Sequence, residues 1–175
     1  MNVYFAVDDI APSYLESWEV LRTIKSHCPQ FKVNCFVIAN KDFVENVAEN
    51  KEFIEWFAIN KEWIQIGVHG YDHNVCLAPE VERDLWELRL CLQRSLDILH
   101  PFLPSLIGYR SPGFQTRIEL NDLLQELGFH YIAHETRVQC FDGMGITPGH
   151  FINTHIYDIQ PMMFSQETQF SFIGE

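Results

Sequence analysis

The chain has 175 residues and a mass of 20.5 kDa, the length of one domain spanning 1–175. Twenty-four acidic against 12 basic residues leave a net charge of −12, which excludes a general nucleic-acid binder and a protein drawn to anionic lipid, since both need clustered cations. The chain is shorter than the roughly 250 residues of a regular eight-fold (β/α) barrel, and no apolar run approaches the roughly 20 residues of a membrane span.

Residues 2–7 are an apolar strand that ends at Asp8-Asp9. Residues 12–27 read as a helix with Tyr14, Trp18 and Leu21 on one face and Pro12 in its first turn. Residues 32–39, β-branched and aromatic, are a second strand. Residues 42–60 read as helix in two pieces, the first carrying Phe43, Val44 and Val47, the second Phe53, Ile54 and Phe57. Residues 63–68 are a third strand. Residues 79–99 are the clearest helix, with Leu85, Leu88, Leu92, Leu96 and Leu99 in a three-four rhythm. A fourth strand spans 105–108. Thr116 to Glu119 has the form of a capping box, followed by Leu120, Leu123, Leu124 and Leu127, with Gly128 placed as the residue after the helix C-cap. Residues 130–133, 151–154 and 170–173 are further short strands. Strands alternating with helices predict a mostly parallel sheet, open or closed.

The first residues carry neither a basic n-region nor a small-residue cleavage site, which gives the expectation of a cytoplasmic protein. Five cysteines (Cys28, Cys35, Cys76, Cys91 and Cys140), odd in number and without a C-x-x-C pair, are expected to be free and mostly buried.

The ionisable residues that stand out fall after strands: Asp8 and Asp9 after the first, His69 and His73 after the third, Arg110 after the fourth, and His155 after a late one. In parallel α/β folds the carboxyl ends of the strands share one side, so four strand ends converge on one site. Asp8 and Asp9 leave a strand in different directions, so one suits a metal and the other a base; the plainer alternative is a turn or helix cap before Pro12. His69-Gly70-Tyr71-Asp72-His73 offers two imidazoles, which with a carboxylate make a zinc-type set; the plainer alternative is two unrelated loop histidines. Arg110 can hold a carboxylate bidentately, and Pro112-Gly113 allow a close backbone approach. His155 can donate a proton near neutrality. His27, His100, His130, His134 and His150 have no assigned role, His134 and His150 being second-choice candidates.

Taken in order, Asp8-Asp9, H-G-Y-D-H, R-S-P-G and the late T-H resemble the metal-dependent polysaccharide deacetylase family (NodB homology, carbohydrate esterase 4), over residues 3–157. The resemblance implies a distorted (β/α) barrel of about seven parallel strands. It implies a hydrolase that removes acetyl groups from N-acetylated sugars, with one divalent ion, expected to be zinc, on Asp9, His69 and His73. It further implies Asp8 as general base oriented by Arg110, and His155 as general acid. Gly113 and Phe114 would sit at the substrate and oxyanion side, a backbone N–H near Gly113 assisting the ion. The expected partner is an N-acetylated carbohydrate, with no nucleic acid and no membrane. The chain departs from the family pattern at Gly70, where a small hydroxyl residue is usual, at Gly113, where an aromatic is common, and in residues 131–143, which hold no Trp; Asp142 is the candidate support for His155. Two other readings stand beside this one: a non-catalytic carbohydrate-binding relative, and a barrel hydrolase of other C–N bonds.

Overall fold

The computed structural model describes residues 2–73, 83–114, 116–141, 149–160, 162, 164–165 and 167–173. Its centre is β1 (Asn2–Ile10), whose five apolar or aromatic residues before Asp8-Asp9, and Ile10 after them, are all buried. Around it run β2 (Val33–Val37), β5 (Ile64–Val68), β6 (Gly108–Tyr109), β7 (Tyr131–Ala133), β8 (Val138–Cys140) and β9 (Gly149–His155), in the order β9-β1-β2-β5-β6-β7-β8. All of these neighbours are parallel except β7 and β8. The short β10 (Gln169–Phe170) pairs with Asn2 and Val3. Because β9 pairs with the same two residues, β10 takes the edge of β1 that β2 joins only from Ala6 onward. The result is a curled, parallel-rich half-barrel of seven strands, as expected, with the correction that β8 runs antiparallel. Residues 134–137 are too short to carry a crossover, and only a hairpin fits them.

Alternation along β1 sorts its side chains between two cores. Val3, Phe5 and Val7 face the helix layer; Tyr4 and Ala6 face the barrel interior with Phe36, Tyr131, Ala133 and Ile173. The helix layer is α1 (Leu15–His27), α2 (Lys51–Asn60), α3 (Leu85–Leu99) and α4 (Glu119–Glu126). Each buries one stripe: Trp18, Leu21 and Ile24 on α1, Phe53 and Trp56 on α2, Leu88, Leu92 and Leu99 on α3, and Leu120, Leu123 and Leu124 on α4. Trp18 packs on Trp56 and Phe53 at ring separations of 4.6 and 5.5 Å. Asn34, buried at the base of the interior, donates to Phe5 O (3.3 Å) and accepts from Ile173 N (3.1 Å), tying the C-terminal segment to β1 and β2.

Four expectations change. Pro12 starts a separate 3₁₀ turn, Pro12–Tyr14, before α1. Residues 42–50 are not helical: β3 (Asn40–Lys41) and β4 (Glu45–Asn46) form a hairpin whose tip has Asp42 and Phe43 at φ 52° and 61°. Phe43 and Val44 are exposed, so the first apolar face predicted there does not exist. The helix starts later, where the Asn50 side chain accepts from Phe53 N (2.8 Å). The fourth strand is displaced to Gly108–Tyr109, where register with Val68 and Tyr131 is available. Thr116 does not cap α4; its hydroxyl bonds the Ser111 hydroxyl (2.9 Å), and α4 begins after Ile118 with no side-chain cap. Gly128 stands where expected, at φ 85°. The described part of the long helix is α3, capped by Asp84 on Glu87 N (2.8 Å); the stretch predicted over 79–82 lies outside the described residues. Cys28 and Cys35 are buried and Cys91 and Cys140 half-buried, none of the four in a disulfide among the described residues; Cys76 lies outside the described residues.

Gly108 lies against the Tyr131 ring so closely that an added Cβ would meet its Cζ at 2.1 Å. Tyr131 is fixed in the inner core. Gly108→Ala is therefore expected to lower unfolding stability by about 1–3 kcal/mol through overpacking, read as a lower urea midpoint; an unchanged midpoint would show that the ring yields freely.

Candidate active site at the carboxyl ends of the strands

The interior row of β1 continues from Tyr4 and Ala6 to Asp8, which is almost fully buried. Regular alternation would send Asp9 to the opposite face. Instead the register with β2 shifts between Val7 and Ile10, and Asp9 sits at φ 59°. This bulge turns both carboxylates to the same end of the barrel. A positive φ at a non-glycine residue costs on the order of 1–3 kcal/mol, so the surrounding contacts must hold Asp9 there.

They do so with three histidines. Asp9 Oδ1 lies 3.1 Å from His69 Nε2 and 3.0 Å from His73 Nε2, and Asp9 Oδ2 lies 2.9 Å from His155 Nδ1. The carboxyl is buried, which alone would raise its pKa; the bonds to His69 and His73 outweigh that and hold it well below the usual carboxylate range. His69 directly follows β5. Gly70 (φ 75°) and His73 (φ 49°) turn the chain so that the two imidazoles stand 5.1 Å apart. The loop between them is stitched to the segment that opens the hairpin: Asn40 N donates to Tyr71 O (2.7 Å) and Asp42 N to Asp72 O (3.0 Å). That is why residues 40–46 form strands and not a helix. Asp72, fully buried, pairs with Arg83 at 2.5 Å.

Arg110 follows β6 and is completely buried. Its Nε donates to Ala133 O (3.1 Å), Nη1 to Asp8 Oδ1 (2.6 Å) and Nη2 to Asn153 Oδ1 (2.8 Å). Phe36 lies 4.3 Å below the guanidinium and Phe114 5.5 Å from it. His155 ends β9 directly opposite Asp8 in register. Gly113 and Phe114 make a left-handed turn (φ 62° and 55°), in which the Phe114 N–H donates to Ser111 O (3.0 Å); Phe114 therefore meets the site through its ring. Asp8, His155, Phe114, Phe151, Asn153 and Glu135 line a cleft of about 280 Å³, near the small end of the roughly 300–1,000 Å³ range of small-molecule sites.

All six polar residues singled out in the sequence thus meet. Asp8 and Asp9 are not a turn or cap; they complete β1. Support for His155 comes from Asp9; Asp142 lies outside the described residues. His150 is exposed near the start of β9, and His134 holds the β7–β8 turn, its backbone N–H donating to Arg137 O (2.8 Å) and its side chain hydrogen-bonded to Gln139. Sequence reasoning missed Asn153, Asp72 and Tyr157. One of these carried a signal: Asn153 and His155 are spaced two apart on β9, the period that puts strand residues on one face; Tyr157 lies in the turn that follows. Tyr157 stacks on His155, and burial together with the negative Asp9 pushes its phenol up to about 12.

The donor set fits a divalent cation. His69 Nδ1 lies 2.9 Å from Arg110 O; a carbonyl only accepts, so Nδ1 carries a proton, and in the neutral imidazole Nε2 then presents a lone pair. With a neutral ring that lone pair faces a carboxylate oxygen, an arrangement that a cation between them would satisfy. One ligand atom from each of Asp9, His69 and His73 lies within 4.8 Å of the others, and an imidazole fixed by a backbone carbonyl on its far nitrogen is the usual support of a metal ligand.

No protein-family model matches the chain, and no curated protein matches it in sequence. Solved structures do. The chain is similar to the CE4 domain of a multidomain xylanase from the hindgut metagenome of Trinervitermes trinervoides (14% identity, TM-score 0.52, covering 69% of this chain and 52% of that one). It is similar to the chitin deacetylase of Colletotrichum lindemuthianum (18%, TM-score 0.51, 75% and 54%). It is also similar to a CE4 family pseudoenzyme from Bacillus anthracis (15%, TM-score 0.60, 89% and 54%). The fold is that of the CE4 polysaccharide deacetylases. The chain spans about half the length of each of these three structures.

Within this CE4 fold the Arg110–Asp8 pair is closed off from water on both partners. Removing one member of a buried pair strands the other charge, so Arg110→Ala is expected to cost about 3–5 kcal/mol in chemical unfolding. Arg110→Lys should recover only part, because an ammonium cannot serve the three fixed acceptors of a guanidinium fork. Native midpoints in both variants would contradict this account of the pair.

Proposed function

We propose that the chain is a divalent-metal-dependent hydrolase that removes acetyl groups from N-acetylated sugars. The observation that carries the reading is the convergence at the strand ends of Asp8 and His155, which line one cleft, with a carboxylate–bis-histidine set that is joined to His155 through the shared Asp9. Amide hydrolysis needs these parts: a proton acceptor for water, a positive centre for the carbonyl oxygen, and a proton donor for the leaving amine. Asp9, His69 and His73 would hold the ion, and one carboxylate with two imidazoles suits zinc. Bound there, the ion would acidify water and polarise the acetyl carbonyl.

Asp8 takes the proton from the attacking water, oriented by Arg110 Nη1 on its Oδ1. The Gly113 backbone N–H would be the donor to the carbonyl oxygen as it gains charge. His155 keeps its Nδ1 proton on Asp9 Oδ2, which leaves Nε2 as the nitrogen that protonates the departing sugar amine. Phe114 and Phe151 give the cleft apolar faces, and Asn153, Thr154, Thr136 and Glu135 give it hydrogen-bonding groups, a mixture suited to a sugar ring. The net charge of −12 agrees with a neutral N-acetylated sugar leaving as a cationic amine. The similarity to a chitin deacetylase supports this substrate class.

A second reading, a non-catalytic carbohydrate-binding relative, is favoured by the similarity to a CE4 pseudoenzyme. Metal content measured beside acetate release from a panel of N-acetylated sugars separates the two. Asp9→Asn and His69→Ala should lose both metal and activity. Asp8→Asn should keep its metal and lose turnover by roughly 10²–10⁴-fold, the contribution of a general base. Sugar binding with full metal content and no acetate release by the parent protein would select the binding module. Metal loss in Asp8→Asn with retention in Asp9→Asn would reverse the two roles.

A further inference from the structure

Tyr157 is a large aromatic residue left half exposed at the mouth of the site, and core packing does not explain its placement. Its ring lies flat on the His155 imidazole, centroids 5.2 Å apart and planes 4° from parallel. Its hydroxyl is hydrogen-bonded to Asp9. On its other side stands Tyr14, with centroids 5.8 Å away. Tyr14 is covered in turn by Lys41 Nζ at 5.4 Å from its ring, and Lys41 is held by Asp42 (2.9 Å) and Glu45 (3.7 Å) of the β3–β4 hairpin. Glu45 also accepts from Ser13 N (3.0 Å), next to Tyr14.

His155 needs such backing. It is the last residue of β9, and among the described residues its ring has one polar tether, the Nδ1 bond to Asp9. A single bond fixes a point and leaves the ring free to swing about it. A flat ring pressed on one face removes that freedom, and Phe114 at 6.5 Å limits it from another direction. The chain turns directly after β9, Asp158 N donating to His155 O (3.1 Å), and this turn lays Tyr157 over His155 while Ile156 N continues the ladder to Asp8 O (3.1 Å).

We propose that Tyr157 is a positioning residue that clamps the His155 imidazole against Asp9, with Tyr14 and the β3–β4 hairpin as its backing. What the clamp is for rests on the deacetylase reading; the clamp itself does not. Two measurements test it on Tyr157→Phe, which keeps the stack, and Tyr157→Ala, which removes it. In proton–carbon NMR the His155 ring signals should be displaced upfield by the stacked ring in the parent and in Tyr157→Phe, and should lose that displacement in Tyr157→Ala. In acetate release Tyr157→Ala should lower kcat by roughly 10–100-fold, the usual loss for a removed supporting contact, with KM and metal content unchanged and Tyr157→Phe close to the parent. Signals without the displacement in the parent, or the same in all three proteins, would overturn the clamp. So would a raised KM with intact kcat, which marks a substrate contact, or metal loss in Tyr157→Ala, which marks a metal support. The expected NMR pattern in a parent that releases no acetate would leave the clamp standing and remove the deacetylase reading.

Discussion

The buried ion pair between Arg110 and Asp8 is the contact on which the upper half of the barrel depends. A guanidinium with no access to water is tolerable only if its N–H groups find acceptors. Here the acceptors come from β1, β7 and β9, while the Phe36 ring from β2 lies beneath the charge. One side chain at the end of a two-residue strand thus reaches four other strands. Asn153 extends the tie by donating to Glu135 O in the β7–β8 turn, spanning the side on which β8 and β9 do not pair among the described residues. A half-barrel has no closing ladder to keep its strand ends together, and this polar crossing does that work at the level of the site.

The same constraint gives Asp8 and Asp9 different environments although they are adjacent. Asp8 belongs to the interior row and meets the arginine. Asp9 reaches the site only through a bulge and a left-handed backbone, and meets three imidazoles. Its two oxygens divide between His69 with His73 on one side and His155 on the other. The cation set and the proton donor of the proposed reaction therefore share one carboxylate. A change in its orientation alters both together.

Much of this was legible in the sequence because it follows from patterns with a physical period. The four helices follow their apolar stripes, and the main strands follow β-branched or aromatic runs. The strand-end rule brought Asp8, Asp9, His69, His73, Arg110 and His155 to one place without coordinates. The hairpin at 40–46 was not legible: Phe43 and Val44 have helical spacing, but long-range bonds to residues 71 and 72 decide the local conformation. The Thr116 cap failed for a similar reason, its hydroxyl being taken by Ser111. The antiparallel β8 was hidden because Val138–Cys140 is too short to show a period. The Asp9–His155 bond depends on the bulge, and no local sequence signal announces a bulge that contains no glycine.

The account turns on the cation site formed by Asp9, His69 and His73, and anomalous diffraction from crystals equilibrated with zinc tests it most directly. The predicted result is a single strong peak bonded to Asp9 Oδ1, His69 Nε2 and His73 Nε2 at roughly 2.0–2.2 Å, with His155 still on Asp9 Oδ2. Zinc bound elsewhere with this triad left bare, or an ion that displaces His155 from Asp9, would contradict it.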